Sequence, residues 1–200
     1  MLNRYDFLFF RRWLRDPLKI GAVFPSGIEL ARAMARQVDL RRPGVVVELG
    51  GGTGMVTSAL LEAGVPAERL VVLEKDESLF ELLRQRFPSV TILHGDATQV
   101  AGLVRELGFK RVSTVVSGLP ILSMPQQIQQ QILQESFELM GADGRFIQFT
   151  YGPASPVPQS RLRRWGLKSK PAGRVWLNFP PAVVWCFFRR RDVSGIAVAA

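Results

Sequence analysis

The segment Val45-Val-Val-Glu48-Leu-Gly50-Gly-Gly52-Thr-Gly54 constrains this chain more than any other feature. A run of β-branched residues ends in an acid, three alternate glycines follow, and a helical pattern starts at Met55. Strand, glycine turn and helix in that order form a cradle where bare backbone and a helix N-terminus can meet a nucleotide. A glycine turn used only for close strand–helix packing would leave Glu48 as an unpaired acid at a buried strand end, which is costly.

Two further strand ends keep step with the loop. Glu74 lies 20 residues beyond Gly54, closing Leu70-Val-Val-Leu-Glu74, where a carboxylate can accept both hydroxyls of a ribose. Lys75 follows it directly. His94-Gly-Asp96-Ala97 ends the next strand and offers an acid and a small residue to an adenine edge, with His94 read as a structural strand-end residue. A glycine-rich loop alone would also suit a dinucleotide oxidoreductase.

The combination of Glu48, Gly50, Gly52, Gly54, Glu74 and Asp96 resembles the class I S-adenosylmethionine-dependent methyltransferases over about Val45 to Tyr151. The resemblance implies S-adenosylmethionine as cofactor, S-adenosylhomocysteine as product, and Lys75, Ala97 and Ser117 as further cofactor contacts. At the fourth strand end stands Ser117-Gly-Leu119-Pro120, where nucleic-acid amino methyltransferases carry Asn or Asp, then Pro-Pro and an aromatic ring. Here Ser replaces the amide and Ile121 stands where the ring would stack, which favours an aliphatic amine over a nucleobase.

Strands at Val45–Leu49, Leu70–Glu74, Val90–His94, Ser113–Ser117 and Arg145–Tyr151 alternate with helical runs at about Met55–Ala63, Ser78–Phe87, Gln99–Leu107 and Pro125–Met140. Such alternation predicts parallel strands with right-handed crossovers, buried on both faces. After Gly152-Pro-Ala-Ser-Pro-Val-Pro158 comes a basic segment and a last strand pair, about Leu167–Asn178 and Val183–Arg189. The expected fold is therefore an α/β, Rossmann-like, mostly parallel seven-stranded sheet with an antiparallel edge strand, preceded by an amphipathic helix. Its expected division is one domain over 1–200: a membrane-binding or lid segment at 1–26, a cofactor core at 44–151 and a substrate-side part at 152–200.

Composition excludes several classes. The chain has 200 residues, 47% of them hydrophobic and 22% charged, which rules out a disordered acidic tail. One cysteine, Cys186, cannot form an internal disulfide, and with one histidine it cannot build a zinc-type cluster, so no metal is expected. The longest apolar stretch, Phe179–Phe188, is broken by Pro180 and Pro181 and falls short of the roughly 18 to 20 residues of a spanning helix. Arginines are mixed through the first 15 residues, unlike a signal peptide, so a cytoplasmic setting is expected.

The net charge of +9 divides into +5 over residues 1–42, −4 over 43–159 and +8 over 160–200. Basic ends point to an anionic surface, nucleic acid or acidic lipid headgroups, as well as to plain solubility. Read as a helix, Leu2, Tyr5, Phe9, Phe10 and Trp13 fall on one face and Arg4, Arg11, Arg12 and Arg15 on the other, with Asp6 intruding on the apolar side. That pattern suits a membrane interface, or a cap on the chain's own sheet.

Pro17-Leu-Lys19-Ile-Gly21-Ala-Val-Phe-Pro25-Ser26, Val116-Ser-Gly-Leu-Pro120, Gln148-Phe-Thr-Tyr-Gly-Pro153 and Gly173-Arg174-Val-Trp-Leu-Asn-Phe-Pro180-Pro181 together resemble the bacterial phospholipid N-methyltransferases over nearly the whole chain. The resemblance implies methylation of phosphatidylethanolamine to its monomethyl and dimethyl forms and on to phosphatidylcholine, at the inner face of the cytoplasmic membrane. Phospholipid headgroups and an anionic membrane surface are the expected partners, with no nucleic acid and no obligate protein partner. Tyr151, Ser117 and the Leu119 carbonyl are the expected groups around the amine, and Tyr5, Lys19, Ser26, Tyr151 and Arg174 the expected substrate contacts. Lys19 and Arg174 are the candidates for the phosphodiester, Arg174 as a two-pronged donor. An RNA adenine N-methyltransferase and a non-catalytic protein that binds cofactor and membrane are the competing readings.

Overall fold

The computed structural model describes residues 25–176 and 181–190. The amphipathic segment, Tyr5 and Lys19 lie outside the described residues, and of Ser26 only the backbone is described. Seven strands form one sheet in the order β3-β2-β1-β4-β5-β7-β6, namely β1 (Val45–Leu49), β2 (Leu70–Glu74), β3 (Thr91–His94), β4 (Val112–Ser117), β5 (Arg145–Tyr151), β6 (Leu167–Val175) and β7 (Ala182–Arg189). The first five pair in parallel, with Val47 beside Val71 and Val115. Every residue of β1, β2 and β4 is buried, which is why Val45–Val47 and Leu70–Leu73 read as continuous apolar runs, while in β4 the buried Ser113 hydroxyl donates to the Val45 carbonyl.

Strand β7 pairs antiparallel with both β5 and β6, so the last strand in sequence slots inside the edge and β6 becomes the outermost strand. The chemistry of β6 agrees. Pro171 has no N–H for a ladder and sits at a register irregularity between Pro171 and Gly173, on an edge where such a residue is tolerated.

Among the described residues, three α-helices cover each face. Helices α1 (Pro25–Ala35), α2 (Met55–Glu62) and α3 (Glu77–Arg86) pack Leu30, Met34, Leu60 and Leu83 onto Val46, Val72, Val116 and Ile147. Helices α4 (Val100–Glu106), α5 (Gln126–Met140) and α6 (Gln159–Arg164) pack Val104, Leu133, Phe137 and Leu162 onto Val47, Leu73, Val115 and Phe146. Burying each such side chain contributes about 1.5–3 kcal/mol before entropy is counted. Helix α1 was not expected from the sequence. It meets α2 closely, since a Cβ on Gly27 would lie 2.8 Å from the Met55 sulfur.

Candidate functional site

Strand order reverses between β1 and β4, and the ends of the five parallel strands converge there, at the crevice where open α/β sheets bind ligands. Gly50, Gly52 and Gly54 all adopt positive φ, at 73°, 56° and 85°. Gly54 must remain bare because a Cβ there would stand 2.3 Å from the Phe87 ring. At Gly52 a Cβ would meet nothing within 4 Å, so the loop opens onto free space at its middle glycine. Arg86 braces this loop by donating to the Thr53 carbonyl at 2.7 Å.

Glu74 is tied into the same cradle. Its carboxylate accepts the N–H of Gly52 at 2.8 Å, of Lys75 at 2.7 Å and of Asp76 at 2.9 Å. Of about four acceptor sites on a carboxylate, three serve the backbone. The acid thus fixes the glycine loop to the end of β2 and keeps about one site for a ligand hydroxyl.

Glu48 is fully buried and accepts the Thr57 hydroxyl at 2.7 Å, while its Oε1 has no partner. Burial pushes its carboxyl up to about 8; the Thr57 hydrogen bond opposes the rise and the charge of Glu74 adds to it. Near neutral pH it is mostly a protonated, uncharged acid beside the loop.

Asp96 takes the opposite course. The Lys75 ammonium at 2.7 Å, the Thr98 N–H at 2.9 Å and the Thr98 hydroxyl at 2.7 Å hold it at about 2. His94 donates through Nε2 to the Lys75 carbonyl at 3.0 Å and lies against the Phe80 ring, 5.1 Å between centroids. Ala97 opens the short turn that follows Asp96. The end of β3 therefore presents an ionised carboxylate paired with the Lys75 ammonium.

At the end of β4, Ser117 is fully buried and its Oγ accepts the Leu119 N–H at 3.3 Å. The Leu119 carbonyl accepts from the Ile121 N–H and from the Gln148 side-chain amide, each at 2.9 Å. Both of its lone pairs are in use, so the Leu119 carbonyl shapes the loop in this conformation and presents nothing to an amine. Gln129 of α5 holds the next turn through the Ile121 and Met124 carbonyls, at 2.9 and 3.0 Å. Ile121 is itself 0% exposed, turned into the core and away from the site.

Tyr151 closes β5 on the side of the sheet that faces α1, half-buried, with Phe149 meeting it edge-on at 5.5 Å. Arg174 is exposed on β6, opposite Val183, with its guanidinium 5.8 Å from the Trp176 ring centroid. Two strand spacings separate β6 from β5, roughly 10 Å. The strand ends thus gather Glu48, the three glycines, Glu74, Lys75, Asp96, Ala97, Ser117, Leu119 and Tyr151, with Arg174 at the flank. Sequence reading missed Thr57, Arg86, Gln129 and Gln148, whose partners named above lie 5 to 33 residues away with no spacing rule to mark them.

The arrangement suits S-adenosylmethionine. An open glycine loop gives it backbone to lie on, an orphaned buried Glu48 oxygen can receive a ligand donor, and the acids of β2 and β3 stand where hydroxyls and an amino edge would come. Among the described residues no group of three or more His, Cys, Asp or Glu side chains could hold a metal ion, and no helix is long and apolar enough to cross a membrane.

Comparison with known proteins agrees with this geometry. An ornithine lipid N-methyltransferase of Singulisphaera acidiphila is 31% identical over 150 residues, covering 74% of this chain and 78% of the relative. A ribosomal RNA small subunit methyltransferase A of Thermotoga neapolitana is 29% identical over 122 residues, covering 60% of this chain and 43% of the relative. Among solved structures, the 1,6-didemethyltoxoflavin-N1-methyltransferase of Burkholderia thailandensis, bound to S-adenosylhomocysteine, shares the fold with a TM-score of 0.66 at 16% identity, covering 96% and 92% of the two chains. The family model for ribosomal RNA adenine dimethylase matches residues 28–142, more than half of the chain. The chain therefore belongs to that family and is a class I S-adenosylmethionine-dependent methyltransferase.

Proposed function

We propose that this enzyme methylates the amine of a membrane lipid, with phosphatidylethanolamine as acceptor, at the inner face of the cytoplasmic membrane. The observation that carries the reading is Ile121. It occupies the position where a base-stacking ring would be expected, and it is fully buried in the core. The match to a lipid N-methyltransferase over about three quarters of both chains supports the same acceptor class. That relative's name also makes ornithine lipid a second candidate acceptor.

When bound, S-adenosylmethionine supplies an electrophilic methyl group on a sulfonium. In this reading Gly50, Gly52 and Gly54 carry the cofactor, Glu48 meets one of its donors, Glu74 its ribose, and Asp96 with Lys75 and Ala97 its adenine edge. The acceptor nitrogen must arrive neutral with its lone pair in line, so positioning and water exclusion supply much of the rate. The ammonium proton passes to solvent. Tyr151 receives the amine at the end of β5, and its ring face steadies the methylated ammonium as charge grows. Ser117 and Leu119 act as positioning residues, fixing the loop beneath it. Arg174, with Lys19 and Ser26 from the N-terminal part and Tyr5 at the membrane interface, attends to the headgroup.

The test is partition of a radiolabelled methyl group between lipid and RNA when both acceptors are offered together. Label in phosphatidylethanolamine or ornithine lipid supports the reading. Label confined to adenines of ribosomal RNA would replace it with the nucleobase reading that the family model's description favours.

A further inference from the structure

Among the described residues, the large apolar side chains left exposed are Leu40, Leu107, Leu122 and Trp176, at 40%, 38%, 46% and 70%. The two most exposed share one end of the molecule. Leu122 lies in the short turn after β4, and Trp176 directly follows β6, whose last residue Val175 is level with Ala182 and, through it, with Tyr151. Leu40 precedes β1 and Leu107 precedes β4, at the opposite end. From β4 to β6 is three strand spacings, about 14 Å, and Tyr151 on β5 stands between.

We propose that this rim, carried by Leu122 and Trp176 with Arg174, is a docking surface for an anionic phospholipid bilayer, built into the catalytic domain itself. The proposal rests on the lipid-acceptor reading and adds where the membrane plane sits. Charge complementarity supports it: from Gly152 to Arg190 the chain carries eight basic and no acidic side chains. Arg163, Arg164, Lys168, Lys170, Arg174, Arg189 and Arg190 are exposed. Tryptophan is the side chain that prefers the headgroup level, and the Arg174 guanidinium above its ring can take two phosphate oxygens there. Leu122 distinguishes a bilayer from a nucleic acid, since an aliphatic side chain gains by entering acyl chains and has no base-stacking role. A bilayer resting on both supports brings headgroup amines level with Tyr151, so an acceptor lipid can react without leaving the membrane.

Cys186 is buried, so a cysteine introduced on the surface can be labelled selectively. An environment-sensitive fluorophore is attached in the full chain at Leu122→Cys, Trp176→Cys and, as the opposite-end control, Leu107→Cys. Each variant is mixed with vesicles of phosphatidylglycerol and phosphatidylethanolamine, with vesicles of phosphatidylcholine alone, and with an RNA oligonucleotide. Blue-shifted emission at 122 and 176 on anionic vesicles, without a shift at 107, is the expected result. An equal shift at 107, or vesicle co-sedimentation without a shift at 122 and 176, overturns the rim. So does a response to RNA alone. Methylation of detergent-dispersed phosphatidylethanolamine by the same variants separates the two claims: transfer without the shifts sinks the rim only, whereas shifts without lipid methylation keep the rim and sink the acceptor. Leu122→Asp alone, which leaves Trp176 and Arg174 in place, should weaken binding to anionic vesicles several-fold and leave turnover of the dispersed lipid near that of the parent.

Discussion

The Glu74 carboxylate holds the Gly52 N–H at 2.8 Å, which makes the end of β2 and the nucleotide loop after β1 a single unit. The same carboxylate also accepts the next two backbone N–H groups, so the loop is organised by one side chain. Charge-assisted hydrogen bonds of this kind are worth about 1.5–3 kcal/mol each. Glu74→Ala should therefore weaken S-adenosylhomocysteine binding by at least tenfold, as read by calorimetry. Unchanged affinity would show that the loop keeps its shape without the acid.

Glycines in the loop should respond differently to the same small change. In Gly52→Ala the methyl group enters open space, and the positive φ costs about 1–2 kcal/mol, so the melting temperature should fall by only a few degrees. Cofactor binding should fall much further, because the methyl group fills the cradle. Gly54→Ala drives a methyl group into Phe87 and should lose most of its effect as stability. Thermal melts beside binding isotherms separate the two patterns.

Buried Glu48 gives stability a particular pH dependence. Its folded value of about 8 lies above the 4.5 of an ordinary glutamate, so the folded state retains a proton that the unfolded chain gives up. The stabilisation is complete below about pH 4.5 and is lost as pH rises toward 8. Glu48→Gln removes the titration and still offers an oxygen to Thr57. Denaturant melts at pH 5, 6.5 and 8 should show its stability gaining on the parent as pH rises; a constant difference would contradict the assignment.

The Tyr151 ring and hydroxyl can be told apart. If the ring face steadies the methylated ammonium, Tyr151→Phe keeps methyl transfer within about threefold. Tyr151→Ala should lose on the order of tenfold or more, the loss growing with each successive methylation. Loss of activity in Tyr151→Phe equal to that in Tyr151→Ala would assign the role to the hydroxyl.

Much of this fold is written locally. Apolar runs such as Val45–Val47, glycines at alternate positions and acids at two successive strand ends are short-range signals, and they place the core of the cradle correctly. Helix α1 was legible in principle, from Pro25 at its first turn and the alanines of Ala31, Ala33 and Ala35, but it lies ahead of the strand–helix alternation that begins at Val45. What stayed hidden is long-range. That β7 inserts between β5 and β6 depends on pairings such as Phe146 with Phe187, 41 residues apart. The Leu119 carbonyl reads as available until Gln148 is seen to fill it from the neighbouring strand.

Expression of the full chain in a bacterium that makes phosphatidylethanolamine but no methylated derivative, followed by mass spectrometry of the total lipid extract, tests the acceptor most directly. The account predicts monomethyl and dimethyl phosphatidylethanolamine in cells carrying the parent chain and neither in cells carrying Gly52→Ala. An unchanged lipid profile, with newly methylated adenines in the ribosomal RNA of the same cells, would contradict it.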